Sequence, residues 1–388
     1  MRVALFSGNY NYLREGANQA LNRLAGYLVR GGHQVRAYSP VTDTPAFEPE
    51  GELVPVPSIP LPLRREFRLA LGLPSETRVD VRRFAPDVVH VSVPDILGTR
   101  AQTFAKQLGV PIVTSLHTRF ETYFSYYGLG VLRPPAEWHL RRFYRRSDHV
   151  LAPTPAMVEE IRQLRGDSCV SLWSRGVDRE LFDPERRDPS WRRSQGIGDD
   201  EVVLLFFGRL VLEKGIADYV ATVLALRERG ICVRPLIVGQ GPARDRFEIL
   251  GDAVFAGHLE GPELARAVAS ADILLHPSRT EAFGNVVLEA MASGLAVICA
   301  NAESARSLAG ESRAIVICGR AEFANEVAAL CRNPGRRQAL GILARQESSR
   351  FDWDEASSSV LAAYRAVIAE KKAVAGRPAP VMGSSATA

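Results

Sequence analysis

Residues 201–241 read EVVLLFFGRLVLEKGIADYVATVLALRERGICVRPLIVGQG, and the order of textures in this stretch decides the fold. Val202 to Phe207 is a continuous apolar run, too short for a helix and suited to a strand buried on both faces, and it stops at Gly208. Helical spacing follows over 215–229, and a second apolar run, Cys232 to Val238, ends in Gly239-Gln240-Gly241. Strand, helix and strand in that order make a parallel pair joined by a crossover. Onward along the chain, Ala253 to Ala256, Ile273 to His276, Ala296 to Ala300 and Ala314 to Ile317 read as further strands, with helices such as 262–270 and 285–293 between them. Backward, residues 176–198, GVDRELFDPERRDPSWRRSQGIG, are polar and rich in Pro and Arg and read as an interdomain linker.

Before that linker the alternation runs once already. Strands are expected at Met1 to Ser7, His33 to Tyr38, Val88 to Val93, Pro111 to His117, Val150 to Ala152 and Cys169 to Leu172, with a helix from Gly16 to Arg30. The fold class is therefore α/β, with two Rossmann-like domains whose parallel, doubly wound sheets face each other across a cleft. The expected boundaries are 1–175 for the first domain, 176–200 for the linker and 201–351 for the second domain. A last amphipathic helix, 352–372, is capped by Asp352 or Asp354 and is expected to pack back on the first domain; 373–388 is expected to be a disordered tail.

Length and composition agree with two domains. The chain has 388 residues, more than one ordinary core accommodates, and its 46% hydrophobic and 24% charged content is that of a soluble globular protein. No apolar run approaches the roughly 20 residues of a membrane span, and MRVALFSGNYN opens as a strand rather than a signal peptide. The five cysteines are scattered without a CxxC pair, as in a reducing compartment, so a cytoplasmic location is expected. Charge is uneven: residues 1–175 carry 22 Lys and Arg against 16 Asp and Glu. Part of that excess lies in 133–146, RPPAEWHLRRFYRR, where Arg141, Arg142, Arg145 and Arg146 alternate with Trp138, Leu140, Phe143 and Tyr144. This basic amphipathic helix is either a solvated face or a contact with an anionic membrane, with Trp138 and Phe143 inserting beside the arginines. No nucleic-acid recognition motif accompanies the charge.

In doubly wound sheets ligands bind beyond the carboxyl ends of the strands, so the loops there are the place to look for chemistry. After Phe207, Gly208 permits a close turn, and Arg209 and Lys214 flank the loop leading to helix 215–229; two cations beside a helix start suit a diphosphate. No Walker motif is present. Gly239 and Gly241 form a second glycine-rich turn against which a flat base can lie. Residues 277–294, PSRTEAFGNVVLEAMASG, place Glu281 just before a helix that begins at Asn285 and Glu289 among apolar neighbours inside it. Burying an unpaired carboxylate costs several kcal/mol, so Glu289 needs a partner: a ligand hydroxyl, a backbone amide or a core Arg.

Taken together, GRLVLEKG, VGQGP and FAGHLEGPELARAVASADILLHPSRTEAFGNVVLEAMASGLAVI resemble the nucleotide-sugar-binding domain of family 4 glycosyltransferases, and HTRFETYFSYYGLG, APTPAMVEEI and SRGVDRELFDP extend the resemblance to the first half. It is strongest toward lipid mannosyltransferases and sulfoquinovosyl transferases. The resemblance implies the GT-B fold and a metal-independent, retaining transfer of a hexosyl group from a UDP- or GDP-linked sugar, with no resident cofactor. The implied acceptor is a hydroxyl on a membrane lipid or glycolipid, reached from the inner face of the membrane; a soluble or polysaccharide acceptor is the alternative. The implied roles are Arg209 and Lys214 at the diphosphate, Glu281 at the sugar hydroxyls, Glu289 at the ribose, and Phe283 with the amides of Gly284, Asn285 and Val286 completing the donor site. Gly16, in REGANQA, resembles the glycine that approaches the phosphate, and His117, ending its strand, resembles the sugar-contacting histidine. His276 also ends a strand, but at a position that is mainly architectural in the family. Arg119 is placed to pair a carboxylate or sulfonate on the donor sugar, or else Glu121.

Two departures stand out: Gly294-Leu295-Ala296-Val297 replaces Gly-Leu-Pro-Val, and NAESARSLAG replaces the glycine-rich loop that commonly follows, so the donor sugar is not inherited from relatives. A nicotinamide dehydrogenase is disfavoured because SGNYNYLREG, not G-x-G-x-x-G, follows the first strand. A metal-dependent transferase is disfavoured because Asp352-Trp353-Asp354 starts a helix and reads as a cap. A non-catalytic nucleotide-sugar-binding protein is the remaining rival.

Overall fold

The computed structural model describes residues 1–13, 15–61, 64–117 and 133–375; the expectations for Arg119, Glu121 and residues 376–388 lie outside them. The first domain contributes β1 (Arg2–Phe6), β2 (Gln34–Ser39), β3 (Glu52–Pro55), β4 (Ser58–Leu61), β5 (Arg64–Ala70), β6 (Val88–Val91), β7 (Ile112–Ser115), β8 (His149–Ala152) and β9 (Val170–Leu172). Seven of these form a parallel sheet ordered β3-β2-β1-β6-β7-β8-β9, and β4 and β5 form a separate antiparallel pair. The second domain contributes β10 (Val203–Phe207), β11 (Arg234–Val238), β12 (Val254–Gly257), β13 (Ile273–His276), β14 (Ala296–Ala300) and β15 (Ile315–Cys318), parallel in the order β12-β11-β10-β13-β14-β15.

All six strands expected in the second half are present. In the first half β3 and the β4–β5 pair come in addition: β3 and β4 lie in GELVPVPSIPLP and β5 is RREFRLA, where prolines and charged residues interrupt the apolar pattern that marks an inner strand. In both sheets the central strand enters from one side and the order reverses beside it, between β1 and β6 and between β10 and β13. A crevice opens at each reversal, and the loops after those four strands line the cleft between the domains.

The stretch read as a linker is not loose. Val177, Phe182, Trp191 and Ile197 are buried in the core of the second domain, and Arg192, 2% exposed, donates to the carbonyls of Ser270, Gly198 and Glu201. The chain passes between domains twice, and the two passages touch: Val177 N donates to Phe351 O at 3.1 Å, and any side chain at Gly176 would collide with the backbone of Trp353. Asp352 is the cap of the last helix, accepting from the amides of Asp354 and Glu355 at 2.8 Å. That helix, Trp353–Ala375, runs three residues beyond the expected 372, and Val360, Tyr364 and Val367 pack it onto the first domain against Val3, Leu5 and Leu21.

Candidate active site

The interdomain cleft has a volume of about 1280 Å³. Two helix starts meet in it. Gly16 opens the helix Gly16–Arg30 after β1, Asn285 opens the helix Asn285–Ala292 after β13, and a Cβ on Gly16 would lie 2.5 Å from Asn285 Nδ2. Glycine at 16 is thus what lets the domains approach here. The leading amides of each helix have no intrahelical acceptor and point the positive ends of two helix dipoles into the same space. An anion is the ligand such a place accepts.

The loops after β10 and β11 lock together. Gly239 has φ +136°, and a side chain there would run into Gly208 O; one on Gly241 would run into Leu210 O. Both glycines line the cleft, and the packing of one loop on the other by itself demands glycine at each. Phe283 lines the cleft as well, although its ring is 4% exposed and packs in the second-domain core with its centroid 5.8 Å from that of Phe351.

Arg209 reaches across the cleft, donating to Glu15 Oε1 at 2.7 Å, with Glu66 Oε1 at 3.9 Å and the Phe67 ring 5.5 Å away. Lys214 points the other way and donates to Glu281. His276 Nε2 lies 3.5 Å from the same Glu281 carboxylate, so a residue set aside as architectural lines the site. Burial alone would raise the Glu281 carboxyl, but the Lys214 ammonium and His276 outweigh it and hold the group well below the usual carboxylate range. Glu289 has the opposite fate: burial pushes it up to about 8, relieved only by the field of Arg23, and its carboxylate has no hydrogen-bond or ion-pair partner among the described residues. Asp95, not singled out in the sequence, caps the helix Ile96–Leu108, accepting from Gly98 N at 2.7 Å; burial raises its pKa to about 6, and it also lines the cleft.

His117 stands at the carboxyl end of β7 and lines the cleft, but its ring is already engaged. Its Nε2 lies 2.7 Å from Ser115 Oγ and its Nδ1 3.0 Å from Arg175 Nη2. Ser115 Oγ is also 2.7 Å from His90 Nε2, and His90 Nδ1 bonds to Tyr364 of the last helix. Burial, then Arg175, then His90 keep His117 far below the usual histidine range, so the ring is neutral at pH 7. Burial likewise pulls His90 down to about 3. The structure thus brings Gly16, Gly208, Arg209, Lys214, Gly239, Gly241, Glu281, Phe283, Gly284, Asn285, Val286, Glu289 and His117 to one cleft.

The basic helix, Arg133–Arg145, stands apart from the residues that line the cleft. Phe143 is 2% exposed in the first-domain core and cannot insert into a membrane; Trp138 is 65% exposed. Arg145 donates to Arg165 O and Arg146 to Thr103 Oγ1; Arg141, Arg142 and Arg145 are exposed, and Arg142 lies 6.0 Å from the centre of the Trp138 ring.

A family model described as Glycosyltransferase Family 4 matches residues 14–181, and one described as Glycosyl transferases group 1 matches residues 201–333. A GDP-mannose-dependent alpha-mannosyltransferase of Mycolicibacterium smegmatis is 33% identical over 96% of this chain and 99% of its own. The sulfoquinovosyl transferase SQD2 of Arabidopsis thaliana is 30% identical over 92% and 72%, and an alpha-monoglucosyldiacylglycerol synthase of Streptococcus pneumoniae is 27% identical over 77% and 70%. Among solved structures, sucrose-phosphate synthase from Thermosynechococcus elongatus superimposes with a TM-score of 0.77 at 18% identity, over 95% of this chain and 99% of that one.

Proposed function

The chain belongs to glycosyltransferase family 4 and has the GT-B fold, and from that premise we propose that it moves a hexosyl group, with retention and without a metal ion, from a UDP- or GDP-linked sugar to a membrane-lipid hydroxyl. The observation that carries the donor half is the meeting of two helix starts beside Arg209 and Lys214. As the bond from the anomeric carbon to the β-phosphate oxygen breaks, its electron pair stays on the phosphate. Positive groups already fixed there lower the barrier because they need not reorganise. Arg209 and Lys214 are those groups, with the amides of Gly284 to Val286. Glu281, ionised and tied to Lys214, accepts hydroxyl protons from the departing sugar, and Glu289 accepts from the ribose hydroxyls. The acceptor hydroxyl bonds the anomeric carbon, and its proton passes to the departing β-phosphate oxygen, which holds the electron pair of the broken bond.

The lipid acceptor is supported by the names of the relatives, one of which is a diacylglycerol glucosyl-type synthase, and by the exposed Trp138, Arg141 and Arg142 on one helix. Among the described residues no helix is long and apolar enough to cross a membrane, so the proposed attachment is peripheral. The test is transfer from UDP- and GDP-hexoses into anionic vesicles carrying diacylglycerol, with the linkage read by NMR. An α-linked lipid product from an α-linked donor, formed equally in EDTA, is the expected result. A β-linkage refutes retention, loss in EDTA restored by magnesium refutes metal independence, and transfer to soluble glycans alone refutes the lipid acceptor.

A further inference from the structure

The wall that the first domain turns to the cleft holds a cation with no counter-ion among the described residues. Arg175 follows β9, is 3% exposed, and lines the cleft beside His117. Its Nη1 donates to the carbonyls of Trp173 and Ser174 at 2.8 and 3.0 Å, its Nη2 donates to His117 Nδ1 at 3.0 Å, and the guanidinium lies 4.8 Å from the centre of the Trp173 ring. A guanidinium has five N–H donors, so Nε–H and one Nη2–H have no partner among the described residues. The other two cations assigned to the site, Arg209 and Lys214, are each held by a carboxylate; Arg175 is not. Burial without a counter-charge pulls its pKa down to about 9.

The hydrogen-bond chain behind it fixes what the neighbouring histidine offers. Arginine only donates, so His117 Nδ1 is the acceptor and its proton sits on Nε2, given to Ser115 Oγ. The Ser115 hydroxyl then donates to His90 Nε2, and His90 Nδ1–H donates to Tyr364 Oη. Each ring is neutral, and His117 presents no N–H to the cleft. The positive charge and the spare donors at this end of the cleft therefore belong to Arg175 alone among these residues. The Trp173 face and two carbonyls offset part of the desolvation of a guanidinium but do not neutralise it.

We propose that Arg175 is the recognition site for an anionic oxygen group, a carboxylate, sulfonate or phosphate, carried by one of the two substrates and seated beside His117. This rests on the transferase reading above and adds a substrate class to it. The planar fork of a guanidinium matches such groups through two parallel hydrogen bonds, and low exposure keeps water from competing. The anion belongs either to the transferred sugar or to the head of the acceptor, and both present the same chemistry to Arg175.

The experiment uses the full chain and begins with calorimetric binding of UDP and GDP. It continues with paired substrates that differ in charge: glucose against glucuronate on the preferred nucleotide, then diacylglycerol against phosphatidylglycerol in vesicles. Wild type should prefer one anionic member over its neutral counterpart, and Arg175→Met should lower that ratio of kcat/KM by on the order of 10- to 100-fold, with Arg175→Lys regaining part. If the anion is on the sugar, the preference appears in donor binding with no acceptor present; if it is on the acceptor, it appears in the acceptor KM alone. Either result supports the site. A wild type indifferent to charge in both pairs overturns it without recourse to any variant, as does an Arg175→Met protein that loses both members of each pair equally. A chain that binds neither UDP nor GDP overturns the transferase reading and this proposal with it, whereas binding without charge preference overturns this proposal only.

Discussion

The two sheets repeat one topology, yet they turn opposite electrical characters to the cleft. The second domain offers ionised groups on short loops at its reversal point: Arg209, Lys214 and Glu281 are charged, and two of them are paired with each other. The first domain turns Glu15 and Glu66 toward Arg209, but beyond the end of β7 it backs the cleft with a buried neutral chain, His117 to Ser115 to His90 to Tyr364, ended by a guanidinium that has no carboxylate partner among the described residues. The difference teaches that one fold can supply two kinds of work. Charges held at a helix start serve a reaction in which charge moves, whereas a neutral relay with a fixed tautomer serves position and shape.

The comparison breaks most sharply at Glu281. Its carboxylate pairs with Lys214 and faces His276, so Glu281→Ala removes the proposed sugar contact and leaves a half-buried ammonium without that partner. Turnover at saturating donor should fall by about 100- to 1000-fold, while nucleoside diphosphate affinity changes far less. His117→Ala, on the opposite wall, should act more on KM than on kcat. Steady-state kinetics on both variants checks the division, and equal losses of kcat would erase the distinction between the walls.

How much was legible in the sequence follows the same division. The second domain's strands are continuous apolar runs because both faces are covered, and its site residues lie within one or two loops of each other, so Arg209, Lys214, Glu281 and Glu289 could be read from local pattern. Phe283 shows the limit of such a reading: its place in the motif puts it at the cleft, but its packing against Phe351 in the core is not written in the local pattern. In the first domain the edge strand β3 and the β4–β5 hairpin are written in prolines and polar residues, which leave no period to read. The relay was invisible because its members are far apart in the chain: Arg175 lies 58 residues from His117, and Tyr364 lies 274 from His90. Only the return of the last helix onto the first sheet brings them together.

Glu289 sharpens the comparison by pH. Burial raises its carboxyl to about 8, so between the ordinary value of 4.5 and 8 the folded chain keeps a proton that the unfolded chain has released. Stability therefore falls as pH rises through that window, and Glu289→Gln should melt higher than wild type at pH 8 with the gap closing toward pH 5. In the proposed ribose site the hydroxyls donate to the ionised form, so donor binding at pH 7 should release a proton and tighten toward pH 8, by up to about tenfold per unit. Glu289→Gln should bind more weakly and without that slope. Calorimetry in buffers of different ionisation heat reads the proton directly, and a flat wild-type profile would remove Glu289 from the ribose site.

The smallest effect tests the contact between the walls. Arg209 is held by Glu15 at 2.7 Å, and a diphosphate must take its place. Both side chains are about a third exposed, at 35% and 28%, so solvent screens the pair and its net worth is modest, about 0.5–1 kcal/mol. Glu15→Gln keeps the size of the side chain and removes its charge, which lowers the cost of freeing Arg209. Donor affinity should therefore rise two- to fivefold, with the gain shrinking at high salt as the screened pair loses its strength in wild type as well. Weaker binding in Glu15→Gln would mean that Glu15 orients Arg209 toward the diphosphate rather than competing with it, and the two walls would then cooperate at the point where they now oppose each other.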